Sequence, residues 1–316
     1  MRCGVGGRPL DSSLGCQSPG HASEDTGTSS MSEKDLDNLI LCSATLMPDP
    51  ANPGPESLAI QVEATKGAGY AGLSLWRLHA EAAVTSLGSP EAVRELVEAA
   101  GLCVPIVEAM LPWDTVDFGA AMTDVEPFLD LAEAYGAKQV LAVTMSNEAL
   151  EIAPAAARLQ EICLRAADRD LDIAIEFLPW SGIPDLTTAW RILESSGADN
   201  AGLLIDGWHW QRQPGGPCPE LLRTIPPDRF KVFQICDAAA QSQDDPLEEC
   251  MTDRRLPGDG VVDLVGLLDL FDEIGASPIL APEVFNSALA NKGAIEMARA
   301  VRTATESVWS MRNKDR

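Results

Sequence analysis

From Asn38 onward the chain alternates between short β-rich apolar runs and helical stretches, and it does so eight times. The runs fall near residues 39–45, 71–76, 102–108, 139–144, 172–177, 202–206, 231–235 and 278–283. They are rich in aliphatic residues, as strands buried on both faces must be. The segments between them carry helix signals. The clearest is SPEAVRELVEAAG at residues 89–101, with Ser89 placed to cap, Pro90 in the first helical position and Gly101 just past the end. The sixth connection is the weakest: residues 207–230 are rich in Pro and Gly and hold at most a short helix at PELLRT. Strict β–α alternation implies parallel strands covered by helices, because parallel neighbours need a crossover between them. Eight such units at this length favour a closed (β/α)₈ barrel over an open doubly wound sheet. No GxGxxG or GxxxxGKS follows the first run, which removes the usual reason to expect a nucleotide-binding sheet.

A chain of 316 residues with 46% hydrophobic content fits one domain with a substantial core. Residues 1–34 are expected to be a disordered N-terminal extension, since the first thirty are Gly- and Ser-rich without apolar periodicity, and Met31 is a plausible alternative start. The barrel then occupies residues 35–316. The apolar runs are too short to span a bilayer, so no membrane partner is expected. The net charge of −25 repels phosphate backbones and argues against nucleic acid as a partner. Eight cysteines are scattered with no CxxC pair, which argues against a zinc ribbon and fits a reduced, cytoplasmic compartment. A homo-oligomer is left open, as no segment carries an interface signal.

Four successive runs end on an oxygen-bearing side chain: DIAIE at Glu176, AGLLID at Asp206, FKVFQ at Gln234 and SPILAPE at Glu283. In a (β/α)₈ barrel these tips open on one face, where active sites form. Three carboxylates brought together repel one another unless a cation joins them. The set is expected to bind a divalent metal. An all-oxygen shell suits Mn²⁺ or Mg²⁺ better than Zn²⁺, with Co²⁺ admissible. An acidic residue at a strand end also serves as a helix N-cap, but four oxygen-bearing ends in succession, three of them acidic, are hard to explain that way.

Other residues are expected around the same mouth as substrate contacts. His209 follows Asp206 in DGWHW, His79 closes GLSLWRLH and Glu108 closes CVPIVE. Arg254 sits in DRRLPGDG, whose PGDG turn would hold a guanidinium over the centre to clamp a substrate oxygen. Asp237 could orient a ligand or His209. Trp180 and Trp208, with Trp76, Trp113, Trp210, Phe177 and Phe285, lie at or just past strand ends, where aromatic faces suit sugars and cyclic polyols.

The run from Ile173 to Glu283 resembles the xylose isomerase-like TIM barrel family, which includes sugar and sugar phosphate isomerases and epimerases. The matching pieces are IEF at Glu176, DxxH from Asp206 to His209, FQICD around Gln234, RxxPGxG from Arg254 to Gly260, and PE at Glu283. Many relatives carry His where this chain has Gln234. The ketohexose 3-epimerases use that His, whereas some 3-dehydroshikimate dehydratases use Gln. The endonuclease branch relies on further His ligands and a basic groove, and three His with a charge of −25 argue against it.

The expectation is therefore a metal-dependent isomerase or epimerase of a sugar, inosose or related hydroxy-ketone. Glu176 and Glu283 would move the proton through a metal-stabilised enediolate. The alternative is a lyase of the same fold, dehydrating 3-dehydroshikimate or cleaving a 3-keto-glycoside. A binding protein on a barrel that had lost catalysis would be expected to lack a ligand carboxylate, and all are present.

Overall fold

The computed structural model describes residues 31–312 except 55, 111, 112 and 116. The extension proposed for residues 1–34 therefore lies mostly outside the described residues. Its last four do not: Met31 is buried, with its backbone N–H donating to Asp272, and Glu33 opens the short helix Glu33–Asp37.

Eight parallel strands follow in sequence order: β1 Ile40–Cys42, β2 Gly72–Trp76, β3 Ile106–Met110, β4 Gln139–Ala142, β5 Asp172–Glu176, β6 Ala201–Asp206, β7 Phe230–Gln234 and β8 Ile279–Leu280. Each pairs with the next. Past β8 the pairing with β7 continues through Ala281 and Glu283, and Cys42 N–H donates to the Pro282 carbonyl at 3.2 Å, which brings β1 to β8. The chain is a (β/α)₈ barrel. Among the described residues no helix is long and apolar enough to cross a membrane.

Several helices follow from the signals that announce them. Ser89 caps Pro90–Ala99 by accepting from Ala92 N–H at 3.2 Å, and Gly101 adopts φ +79°. Three helices have signals that the periodicity reading passes over. Arg77–Leu87 begins as soon as β2 ends and is supported by the Arg77–Glu81 pair one turn apart. Gly207–Arg212 is capped by Asp206, and Pro246–Thr252 by Asp245 with Pro246 at the first position.

The inside of the barrel is built in two tiers. Ile40, Ile106, Leu141, Ala174, Leu204, Val232 and Ala281 form one buried apolar cluster, with one residue from most strands. Side chains two apart on a strand share a face. Two residues beyond six of these seven stand Cys42, Glu108, Glu176, Asp206, Gln234 and Glu283, all buried. An apolar floor thus carries a polar ring directly above it, at the end of the barrel where the strands finish.

The ring is held in place by tight backbone approaches. A Cβ on Gly207 would lie 2.4 Å from the Cys236 carbonyl oxygen, so only glycine lets the turn after Asp206 pass β7 this closely. Asp237 fastens the long loop after β7. Its Oδ1 accepts from Ala238 and Val262 N–H, both at 2.8 Å, and its Oδ2 from Gly258 and Gly260 N–H, both at 3.0 Å. The role suggested for Asp237 as a ligand orienter is replaced by this one, since its two oxygens are committed to backbone. Gly207→Ala should destabilise the fold by about 1–3 kcal/mol through overpacking. Asp237→Ala should cost about 3 kcal/mol or more by stranding buried N–H donors. Chemical denaturation of both variants checks these values, and a loss below ~0.5 kcal/mol at Asp237 would remove its role as the loop's anchor.

Candidate metal centre at the barrel mouth

Glu176, Asp206, Gln234 and Glu283 do meet at the mouth, but an arginine stands among them. Arg254 is 1% exposed. Its Nη1 donates to Asp206 Oδ2 at 2.7 Å and to Glu283 Oε2 at 3.0 Å. Its Nη2 donates to Cys250 Sγ at 3.0 Å and its Nε to the Cys250 carbonyl at 3.0 Å. The guanidinium also stacks over Phe285, 4.5 Å from the ring centre. Arg254 N–H donates to the Phe285 carbonyl, Asn286 Nδ2 donates to the Arg254 carbonyl, and Arg255 pairs with Asp237 in both directions. The loop therefore presents Arg254 into the ring as a component of it, rather than above it as the sequence suggested.

Asp206 does two things at once. Its Oδ1 caps the following helix by accepting from His209 N–H at 2.9 Å, while Oδ2 takes the guanidinium and the Cys236 thiol at 3.3 Å. The cap fixes where the helix starts and so where His209 points. Oxygen or nitrogen ligand atoms of Glu176, Asp206 and His209 lie within 4.8 Å of one another. His209 therefore belongs with the carboxylates as a candidate ligand, beyond its expected role as a substrate contact. Arg254 Nη2 lies 3.4 Å from His209 Nε2. The same nitrogen lies 3.4 Å from Glu176 Oε1 on its other side. Burial drives the imidazole pKa down to about 3, which keeps the ring neutral.

Gln234 donates through Nε2 to Glu283 Oε1 at 3.0 Å and across the barrel to Glu108 Oε2 at 3.2 Å. Ser74 Oγ donates to the other Glu108 oxygen. Burial raises the Glu176 carboxyl well above the ordinary carboxylate range, with Glu283 and Asp206 adding to the effect. Burial also pushes Glu283 up to about 8, against the pull of Arg254. Glu108 is raised too, chiefly by burial.

These donors fit a divalent cation. Glu176 Oε1 and Gln234 Oε1 are buried acceptors without a hydrogen-bond partner, and His209 Nδ1 is likewise unpartnered. An unsatisfied buried polar atom costs about 1–3 kcal/mol, so several at one point mark oxygens suited to ligation.

Two expected contacts are elsewhere. His79 is in the first turn of helix Arg77–Leu87, because the strand ends at Trp76, three residues earlier. Its Nε2 donates to the Pro50 carbonyl at 2.9 Å, and its Nδ1 accepts from Gln61 at 2.8 Å and Ser43 at 3.2 Å. Both ring nitrogens are used, so it supports the wall behind Trp76 and offers nothing to a substrate. Trp208 is fully buried. Its indole N–H donates to Glu249 Oε1 at 3.1 Å, and Arg212, which Glu249 also binds, covers its ring. Trp208 packs edge-on behind His209.

Trp113, Trp210, Phe177 and Phe285 are buried as well, which reduces the aromatic mouth to Trp76 and Trp180. Trp180 is half-buried beside His209, with ring centres 5.4 Å apart, and its Nε1 has no partner. Cys42, Ser74, Cys236 and Cys250 escaped the sequence reading. The i, i+2 spacing from an apolar lumen residue would have found Cys42, whereas the rest depend on contacts between distant segments.

The chain is 28% identical over 239 residues to a 3-dehydroshikimate dehydratase of Pseudomonas aeruginosa, covering 73% of this chain and 36% of that protein. The chain thus spans about a third of that relative's length. It is 25% identical over 205 residues to an inosose isomerase of Bacillus velezensis, covering 62% of this chain and 71% of the relative. A crystal structure of the IolI protein with a bound zinc atom superposes with a TM-score of 0.75 at 21% identity, over 88% of this chain and 99% of that one. The profile of the xylose isomerase-like TIM barrel family matches residues 62–304, most of the chain, and the protein belongs to that family.

Proposed function

We propose that this protein is a divalent-metal-dependent isomerase or epimerase of a neutral hydroxy-ketone, such as an inosose or a keto-sugar. The observation that carries this reading is the buried ring itself, where Glu176, Asp206, Gln234 and Glu283 converge with unpartnered acceptors among them. Glu176, Asp206, Gln234 and Glu283, joined by His209, would hold the cation, with Mn²⁺ or Mg²⁺ suited to the mainly oxygen set. When bound, such an ion polarises a substrate carbonyl and acidifies the neighbouring C–H. Glu176 ends β5 and Glu283 lies on the continuation of β8, so one removes the proton and the other returns it. Burial raises both carboxyls above the ordinary range. Trp180 Nε1–H is an unpaired donor for a substrate oxygen. Arg254 anchors Asp206 and Glu283, and Glu108 braces Gln234.

Charge supports a neutral substrate. The buried arginines near the ring are paired within the protein, Arg254 with Asp206 and Glu283 and Arg212 with Glu249. The similarity to an inosose isomerase agrees with this reading. A second reading, a dehydratase, is favoured by Gln234 and by the 28% identity to a 3-dehydroshikimate dehydratase.

Incubating the protein with candidate hydroxy-ketones in D₂O separates the two. Isomerisation places deuterium on the carbon beside the carbonyl, visible by NMR, whereas dehydration produces an ultraviolet-absorbing enone. Glu176→Gln and Glu283→Gln should each lower turnover by about 10²–10⁴-fold with unchanged circular dichroism. Near-normal turnover in both would end the acid–base assignment. Chelation should abolish activity, and Mn²⁺ at about 100 times its Kd should raise stability by about 2.7 kcal/mol. An unfolding midpoint indifferent to Mn²⁺, Mg²⁺ and Co²⁺ alike would remove the metal from the proposal.

A further inference from the structure

We propose that the end of the barrel opposite the ring carries a binding site for a small organic cation, an ammonium or amidinium joined to an apolar body. The apolar floor has a polar tier below it as well as above. Two residues before Leu141, Ala174 and Leu204 of the floor stand Gln139, Asp172 and Gly202, on the same face of their strands. A Cβ on Gly202 would lie 2.3 Å from Lys231 Cγ, so glycine here leaves room for the lysine stem. Lys231 Nζ pairs with Asp172 Oδ2 at 2.9 Å, and Gln139 Nε2 donates to the same oxygen at 3.3 Å.

Gln139 is where this network is incomplete. The residue is 8% exposed, and its Oε1 is buried without a hydrogen-bond partner. Because Nε2 is directed to Asp172, the group left over is an acceptor. A buried acceptor without a donor is destabilising, and a ligand N–H would satisfy it. Gln139 lines a cavity of about 610 Å³, a volume typical of small-molecule sites. Ile40, Val104, Tyr135 and Ile279 give that cavity apolar walls. Glu176, Asp206, Gln234 and Glu283 are not among its lining residues, so the site stands apart from the metal centre and does not rest on it.

Charge selects the kind of donor. Asp35, Glu98, Asp170 and Asp172 line the cavity together with Arg94 and Lys138. Lys138 pairs with Asp170, Arg94 lies 3.6 Å from Glu98, and Lys231 pairs with Asp172. With Lys231 included, the acids still outnumber the bases by one, in a chain whose net charge is −25. An anion would meet that excess and the Gln139 oxygen together. A cation bearing N–H groups is favoured by both, and the apolar walls take its hydrocarbon part.

Isothermal titration of the full-length protein with p-aminobenzamidine tests the site, with p-aminobenzoate, the same ring bearing a carboxylate, as the matched anion. One equivalent of the amidine is expected to bind per chain, and the benzoate at least about tenfold more weakly. Gln139→Leu removes the acceptor at similar volume and should weaken the amidine by about tenfold or more, as loss of a hydrogen bond to a charged group does. Ile279→Trp fills the cavity from its half-buried edge and should abolish binding, which keeps the test open should Gln139→Leu fail to fold. No binding of the amidine, or equal binding of the benzoate, would overturn the site. Unchanged affinity in folded Gln139→Leu or Ile279→Trp would also overturn it, by placing the amidine elsewhere on this acidic chain.

Discussion

The barrel depends on how the guanidinium of Arg254 sits between Asp206 and Glu283. Four buried acidic side chains face one another in the ring, and like charges in such a setting destabilise the compact state. One fixed cation with contacts to two of them lets the strands close. A buried ion pair adds little net stability, because desolvation offsets its attraction, but deleting one partner costs about 3–5 kcal/mol. Arg254 is accordingly held by every means available: carboxylates, a thiol, a carbonyl, an aromatic face and its own backbone ladder to Phe285 and Asn286. The loop that delivers it is irregular in path but fixed in place by Asp237, whose four hydrogen bonds do for this segment what a strand neighbour does elsewhere.

Asp206 shows why structural and functional readings of one residue need not compete. As the cap of helix Gly207–Arg212 it looks like an ordinary helix start. A carboxylate has two oxygens, and the cap uses one. The other faces the ring. The same division recurs at Gln234, whose amide donates on one side and leaves an acceptor on the other. Bidentate groups at strand ends can therefore position the scaffold and still offer a free electron pair.

Most of the fold was legible in the sequence because β–α alternation and caps are local signals. Ser89, Pro90 and Gly101 mark a helix that forms as marked. The ring residues on β5 to β8 were legible for the same reason: each closes an apolar run. Failures came where tertiary contacts decide. The run GLSLWRLH reads as one strand reaching His79, yet Arg77–Glu81 pairing and an Ala-rich continuation turn it into helix at Arg77. Trp208 and Trp180 are indistinguishable in sequence, but Glu249, on a helix some forty residues further on, takes the indole of one and leaves the other unpaired. Arg254 was recognised as functional, but its depth was not, since only folding shows that Cys250 and Phe285 close around it.

The apolar floor beneath the ring acts as a gasket. A cavity of about 610 Å³ opens at the opposite end of the barrel, lined by Ile40, Val104, Gln139 and Ile279 among others, and none of the ring acids reaches it. Ile40 belongs to the floor itself, so the two compartments meet across a single dry layer. With that layer closed beneath the ring, reactants reach the acids from the strand-end face, where the half-buried Trp76 and Trp180 stand.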